Sequence, residues 1–171
     1  GGAVGTRVIA REWTPELYAT HLFYLTGSQN ATVLADTRLG ILGWESGFAC
    51  TLDCTSGAPL YAGERYMARD EREGQLYYYF GRVDDPDIAA VAISIQAETY
   101  VDGQPVRREV QRLEVPELLE RRGYRYFLLH TLEPGWTLED QSRAAVAVAL
   151  GDDGREVGAW DIDNASYTYY G

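Results

Sequence analysis

Short runs of apolar residues, separated by turn-forming residues, recur along most of the chain. Residues 75–83 form a dense aromatic and β-branched run, and residues 88–95 are nearly all apolar, as expected of a strand covered on both faces. Asp102-Gly103 and residues 151–154 are typical of hairpin turns. Because these runs leave no room for crossover helices, the pattern predicts an all-β fold, an antiparallel β-sandwich.

The other predicted elements complete this picture. Further strands are expected over residues 6–13, 20–26, 32–39, 41–44, 106–115, 124–132, 142–150 and 155–162. Residues 14–25 also fit a helix that starts at Thr14-Pro15-Glu16, but we favour a strand over 20–26. One short helix is allowed near residues 116–122, where a proline opens the segment and Gly123 follows it. With no linker or repeat, we expect a single domain over residues 7–165.

Composition and charge narrow the classes of partner. The chain has 171 residues, of which 46% are hydrophobic and 24% charged, so it can fold without a metal or a disulfide. No apolar run approaches the roughly 18 residues of a membrane span, so we expect no membrane insertion of this segment. The net charge of −11 predicts no binding to nucleic acid, because phosphate backbones would be repelled.

The sequence lacks the motifs of the common catalytic classes. All 15 basic residues are arginines, which excludes a P-loop and Schiff-base chemistry. The two histidines fit no zinc or catalytic-triad pattern, so we expect no cofactor. With 26 acidic residues, some carboxylate pair suited to glycoside hydrolysis is inevitable, and its presence alone does not indicate an enzyme.

Two small clusters of residues, one of aspartates and one of cysteines, have either a structural or a ligand-binding interpretation. Asp84, Asp85 and Asp87 surround a proline and could supply oxygen ligands to calcium, although turn formation explains them better. Cys50 and Cys54 are either reduced, partly buried thiols or partners in a small disulfide loop. We favour the disulfide, which requires an oxidising compartment.

Tyrosine is abundant, with 13 residues, and exposed tyrosines offer a large contact area at low entropic cost. The candidate binding residues are Tyr77, Tyr79, Tyr167, Tyr169 and Tyr170. The four tryptophans are expected mainly in the core.

Three stretches resemble a group of uncharacterised β-domain proteins of Bacillus-like bacteria. They are residues 22–24 (LFY), residues 39–44 (LGILGW) and residues 79–93 (YFGRVDDPDIAAVAI). In that group a basic residue commonly follows the Gly-Trp pair, whereas Glu45 follows it here. These proteins look like lipoproteins or single-span proteins, so the resemblance implies an extracytoplasmic location, secreted or membrane-anchored, with the anchor outside this segment. It implies no activity.

These features together predict a non-catalytic, extracytoplasmic module that binds a protein, a cell-wall component or a second copy of itself. A small glycan-active hydrolase that uses a carboxylate pair is the alternative. A small-ligand carrier is a third hypothesis.

Overall fold

The structure is a computed structural model that describes residues 8–14, 21–67, 74–133 and 142–170. These residues form thirteen strands and no helix, so the predicted all-β fold is confirmed. The strands are β1 (Val8–Thr14), β2 (His21–Gly27), β3 (Ala31–Gly40), β4 (Gly43–Asp53), β5 (Leu60–Met67), β6 (Gln75–Val83), β7 (Ala90–Val101), β8 (Gln104–Glu114), β9 (Leu119–Arg121), β10 (Tyr124–Glu133), β11 (Ser142–Leu150), β12 (Glu156–Asp161) and β13 (Ser166–Tyr169).

The strands pair into three antiparallel sheets. The N-terminal sheet is the meander β1-β2-β3-β4, and the central sheet has the order β5-β6-β10-β9. The C-terminal sheet has the order β13-β12-β11-β7-β8. Because β13 pairs with β12, this sheet extends beyond residue 165, the expected end of the domain. Two pairings join distant parts of the chain, β6 with β10 in the central sheet and β7 with β11 in the C-terminal sheet, whereas the other pairings join strands that follow each other in sequence.

The central sheet is packed on both faces, which makes the sandwich three layers deep. One hydrophobic cluster joins it to the N-terminal sheet and includes Phe23, Leu25, Leu34, Leu76, Tyr78 and Phe80. The other joins it to the C-terminal sheet and includes Tyr61, Tyr79, Ile93, Phe127, Ala147 and Trp160. Because successive side chains of a strand point to opposite faces, the uninterrupted aromatic run of β6 supplies both clusters.

Several predicted boundaries change in the structure. The short helix near residues 116–122 is wrong: Leu119–Arg121 is β9, which forms a hairpin with β10. Arg122 (φ 54°) and Gly123 (φ 80°) make the tight turn between them, so the glycine serves a hairpin and not a helix end. The strand over 20–26 is confirmed as β2. Of the alternative helix start at Thr14-Pro15-Glu16, Thr14 ends β1, and residues 15–16 lie outside the described residues.

The outer face of the C-terminal sheet is covered by its own charged side chains. Arg107 of β8 bonds Glu98 (2.6 Å) and Asp161 (2.7 Å), and Arg112 bonds Glu156 (2.9 Å). These ion pairs connect β8 to β12 across a surface of small apolar residues. They shield that surface from solvent, since arginine buries its aliphatic stem while keeping its charge hydrated.

Gly81 lies in the central sheet where there is no room for a side chain. A Cβ atom at this position would collide with the carbonyl oxygen of Tyr61 and the ring of Phe127. We therefore expect Gly81→Ala to lower the free energy of unfolding by about 1–3 kcal/mol through overpacking. The control is Gly40→Ala, whose Cβ would meet only the end of the Glu45 side chain at 2.6 Å and should cost less. Urea denaturation of both variants checks this, and equal stability of the two would contradict it.

Candidate functional site

An open cleft lies where the loop between β4 and β5 meets the turn after β6 and the hairpin of β12 and β13. It consists of two adjoining depressions of about 370 Å³ each, which share Gly57, Ala58, Pro59 and Tyr169. We call the cleft and its lining the aromatic cleft. The lining is completed by Ser56, Asp84, Asp85, Trp160, Ala165, Ser166 and Tyr167. Each depression lies within the usual range for small-molecule sites, roughly 300–1,000 Å³.

Backbone hydrogen bonds hold two walls of the cleft together. The N–H groups of Asp84 and Asp85 donate to the carbonyl oxygen of Pro59 at 2.9 and 3.2 Å. Ala58 N–H donates to the hydroxyl of Tyr61 at 2.9 Å, which ties the β4–β5 loop to the core. Arg125 donates to the carbonyl oxygens of Asp85 and Ile88 and so fixes the turn from its other side. The walls are therefore formed before any ligand binds.

Arg82 supports the cleft from beneath. Its guanidinium is 2% exposed and bonds both carboxylate oxygens of Asp84 at 2.6 Å. Burial is the largest effect and opposes its charge, but the hydrogen bonds to Asp84 and the electrostatic effects of neighbouring groups together raise the pKa of Arg82. The Asp84 carboxylate is thus engaged in a bidentate ion pair, which leaves Asp85 as the acid that can meet a ligand.

Aromatic side chains form the third wall. Trp160 of β12 is 3% exposed and packs against Tyr61, with a ring-centroid distance of 5.2 Å. The indole Nε1 of Trp160 is buried, and no described residue accepts a hydrogen bond from it. Tyr167 lies opposite Trp160 in the strand register, and its ring meets that of Tyr169 edge-on at 4.9 Å. Tyr169 is 72% exposed, so one ring of the wall faces solvent.

The hairpin that carries these tyrosines has a strained turn. Ala165, in the cleft lining, has φ 48°, a left-handed conformation that is uncommon for alanine. The turn is held by Asn164, whose backbone and side-chain N–H groups each donate to Asp161 at 3.0 Å. Strained backbone of this kind is concentrated at ligand-binding sites.

The cleft carries negative charge and uncharged phenols. Burial, reinforced by the nearby Tyr169 and Asp85, raises the pKa of Tyr167 to about 12. Its hydroxyl is therefore protonated at neutral pH. Asp85 Oδ1 accepts the N–H of Asp87 at 2.9 Å, so the charge of Asp85 is only partly engaged. This electrostatic environment disfavours anionic ligands.

The structure brings some of the predicted site residues together and separates others. Tyr167 and Tyr169 share the aromatic cleft with Asp84 and Asp85. Tyr170 lies in a separate depression on the outer face of the C-terminal sheet, with Arg107 and Asp161.

The prediction that Tyr77 and Tyr79 form a contact surface is wrong. They are 8% and 0% exposed, because β6 is covered by sheets on both faces.

The calcium hypothesis at Asp84, Asp85 and Asp87 is not supported by the geometry. In the described parts of the chain, no group of three or more His, Cys, Asp or Glu side chains is arranged to hold a metal ion. The carboxylate of Asp84 is bound to Arg82, and that of Asp85 caps its own turn. Turn formation, the alternative explanation, accounts for these residues.

The expected disulfide between Cys50 and Cys54 is absent, and both thiols are free. Cys50 lies in β4, and Cys54 extends the strand by donating its N–H to Asn30 O at 2.9 Å. Four residues of extended chain span roughly 13 Å, well beyond the limit of about 7 Å between bridged Cα atoms. The spacing alone did not reveal that β4 continues in extended form from Cys50 to Asp53, the residue before Cys54.

A second cluster of chemical interest lies between the central and C-terminal sheets. Arg143 bonds Glu133 at 2.7 Å and Glu64 at 2.9 Å, and Tyr79 donates to Glu133 at 2.5 Å. Glu133 is 0% exposed, and burial raises the pKa of Glu64 against the opposing effect of Arg143. Both carboxylates of this pair are turned to one guanidinium, and neither lines the aromatic cleft.

Two features of the site were not predicted as functional. Arg82 is a charged residue at an inward position of an apolar strand, a signal that could have indicated a buried ion pair. In the sequence, residues 56–59 show only the features of a turn. Their position beside Trp160 results from contacts between sheets.

Neither a family model, a curated protein nor a solved structure matches this chain, so the chemistry of the cleft is interpreted from its own residues. No helix that is long and apolar enough to cross a membrane occurs in the described residues.

The free thiols lead to a direct prediction. Burial raises the pKa of both Cys50 and Cys54, and Cys54 is 5% exposed. We expect slow alkylation of the native protein, faster at Cys50, and complete alkylation of both cysteines in denaturant without a reductant. Intact-mass measurement checks this. A requirement for reductant in denaturant would show that the two thiols are bonded.

The phenol of Tyr167 gives a prediction of pH dependence. Its folded-state pKa of about 12 lies above the value of about 10 in unfolded chains. The neutral phenol of Tyr167 therefore stabilises the folded protein fully below about pH 10, and this stabilisation is lost as the pH rises toward 12. Absorbance titration of tyrosinate should show a step near pH 12 that is missing from Tyr167→Phe. An unchanged titration curve would contradict the assignment.

Proposed function

We propose that this protein is a non-catalytic binding module and that its aromatic cleft receives a neutral glycan chain. The observation that carries the proposal is the aromatic wall of the cleft, where Trp160 and Tyr167 lie beside the ring of Tyr169, which is 72% exposed.

The other side chains of the cleft have the chemistry that sugars require. The exposed ring of Tyr169 offers an apolar face to the C–H groups of a sugar, and Asp85 offers an acceptor to its hydroxyls. The cleft is open at the surface, which suits a chain that continues beyond the site. The net charge of −11 argues against anionic polymers.

The alternative, a glycan-active hydrolase with a carboxylate pair, is less well supported. Glu64, which is partly buried, and Glu133, which is fully buried, are both bonded to Arg143, which occupies the space between their carboxylates. Hydrolysis needs two carboxyl groups that flank a cleft of sugar size. In the aromatic cleft, Asp84 is already paired with Arg82, which leaves one available acid.

The cellular location is part of the same proposal. The resemblance found in the sequence implies an extracytoplasmic protein, and a cell-wall glycan is a ligand that such a protein would meet. A partner protein or a second copy of the chain at the cleft are the competing occupants.

Binding should depend on Tyr169. We expect Tyr169→Ala to weaken binding of a neutral oligosaccharide, chitotetraose or cellotetraose, by at least about tenfold, equivalent to about 1.4 kcal/mol. Tyr100→Ala is the matched control, since Tyr100 is 67% exposed against 72% for Tyr169 and lies outside the cleft. Titration calorimetry gives the affinities, and the fluorescence change on binding should vanish in Trp160→Phe.

Three outcomes would count against the proposal. Failure of both oligosaccharides to bind would remove the glycan ligand. Equal losses in the two tyrosine variants would place the binding outside the cleft. Release of new reducing ends on incubation would replace the binding module with the hydrolase.

A further inference from the structure

The tip of the β3–β4 hairpin exposes apolar side chains to an unusual degree. Ile41 and Leu42 occupy the turn between the paired residues Gly40 and Gly43, and they are 103% and 97% exposed. Leu39 and Trp44 face each other in the strand register directly behind the turn, and they are 46% and 51% exposed. Four of the six residues from 39 to 44 are therefore apolar and substantially exposed.

The fold does not require apolar residues at this turn. Gly43 (φ 115°) adopts the backbone conformation that demands a glycine, which leaves Ile41 and Leu42 in ordinary conformations. Polar residues such as Asn, Asp and Ser are the usual choice at such positions. The β7–β8 and β11–β12 hairpins follow that rule, with Asp102-Gly103 and residues 151–154 at their turns. Because neither side chain packs against the protein, a contact outside the chain explains them better than folding does.

We propose that the hairpin tip, residues 39–44, inserts into the interfacial region of a lipid bilayer. The shape of the tip favours this occupant over a second copy of the chain. It is a projection with four apolar side chains, whereas a stable protein interface engages roughly 20–30 residues on each side. A lipid surface needs no matching contour and accepts a small apolar projection. Trp44 follows the two apex residues and Gly43. With the apex inserted, it would lie near the membrane–water interface, where tryptophan is enriched in membrane proteins.

The charges around the tip identify the kind of lipid. Arg38 and Glu45, the next pair in the register, neutralise each other at 2.7 Å. No excess of positive charge adjoins the apex, and the whole chain carries −11. We therefore infer a preference for zwitterionic over anionic lipid. Such contact by a few side chains differs from the membrane span that the sequence excludes, and it is independent of the proposed glycan cleft.

The test uses sedimentation with phosphatidylcholine vesicles. The wild-type protein should bind, and the double variant Ile41→Ser/Leu42→Ser should bind at least about tenfold more weakly. Val101→Ser/Val106→Ser is the matched control, because it removes two exposed apolar side chains, 55% and 48% exposed, from the hairpin of β7 and β8. Thermal melting should be unchanged in the tip variant, since fully exposed side chains contribute no packing.

A second measurement locates the contact. Brominated phosphatidylcholine should quench tryptophan fluorescence in the wild type and much less in Trp44→Phe. Absence of vesicle binding, equal losses in both double variants, or quenching that survives in Trp44→Phe would each overturn the proposal. Binding that requires anionic lipid and weakens with salt would overturn it as well. Concentration-dependent dimerisation that the tip variant abolishes, without vesicle binding, would assign the tip to a second copy.

Discussion

A single buried guanidinium joins three segments of the chain by hydrogen bonds, in addition to the hydrophobic clusters that pack them together. The five N–H donors of Arg82 make five hydrogen bonds: two to Asp84, and one each to the carbonyl oxygens of Ser28, Gln29 and Cys54. These acceptors belong to the β2–β3 turn, the end of β4 and the turn after β6. Its planar group also lies 4.3 Å from the ring centroid of Tyr124. Removing one partner of such a buried pair costs about 3–5 kcal/mol, because the remaining charge is left without compensation.

The aromatic cleft is a consequence of this anchoring. Arg82 holds Asp84, the backbone of Asp84 and Asp85 holds Pro59, and Pro59 lies beside the tyrosines of β13. Each wall of the cleft is thus fixed by a bond that also stabilises the fold. A preformed cleft binds without the entropic cost of ordering its loops, which is the condition a passive binding module has to meet.

Local patterns predicted the elements better than their assembly. The runs that became β6 and β11, and the turns at Asp102-Gly103 and residues 151–154, were predicted because their side chains and turn residues act locally.

Residues 45–53 of β4 were missed, since Gly47 and the buried Asp36 form a bulge that disrupts alternation. Tyr77 and Tyr79 were misassigned because a strand pattern does not show how many sheets will cover it. The cleft combines residues far apart in the chain, so beforehand only Tyr167 and Tyr169 were selected as contact residues, and Asp84 and Asp85 only as possible calcium ligands.

The absence of lysine acquires a structural meaning from these contacts. Arg82, Arg107, Arg112, Arg125 and Arg143 each bond two or more acceptors within the protein, which the planar fork of a guanidinium permits and a single ammonium does less well. Positive charge is therefore used inside the fold and across the C-terminal sheet, while many of the 26 acids remain at the surface. The resulting negative exterior disfavours anionic partners, which agrees with the proposed sugar ligand at the cleft and the proposed zwitterionic lipid at the hairpin tip.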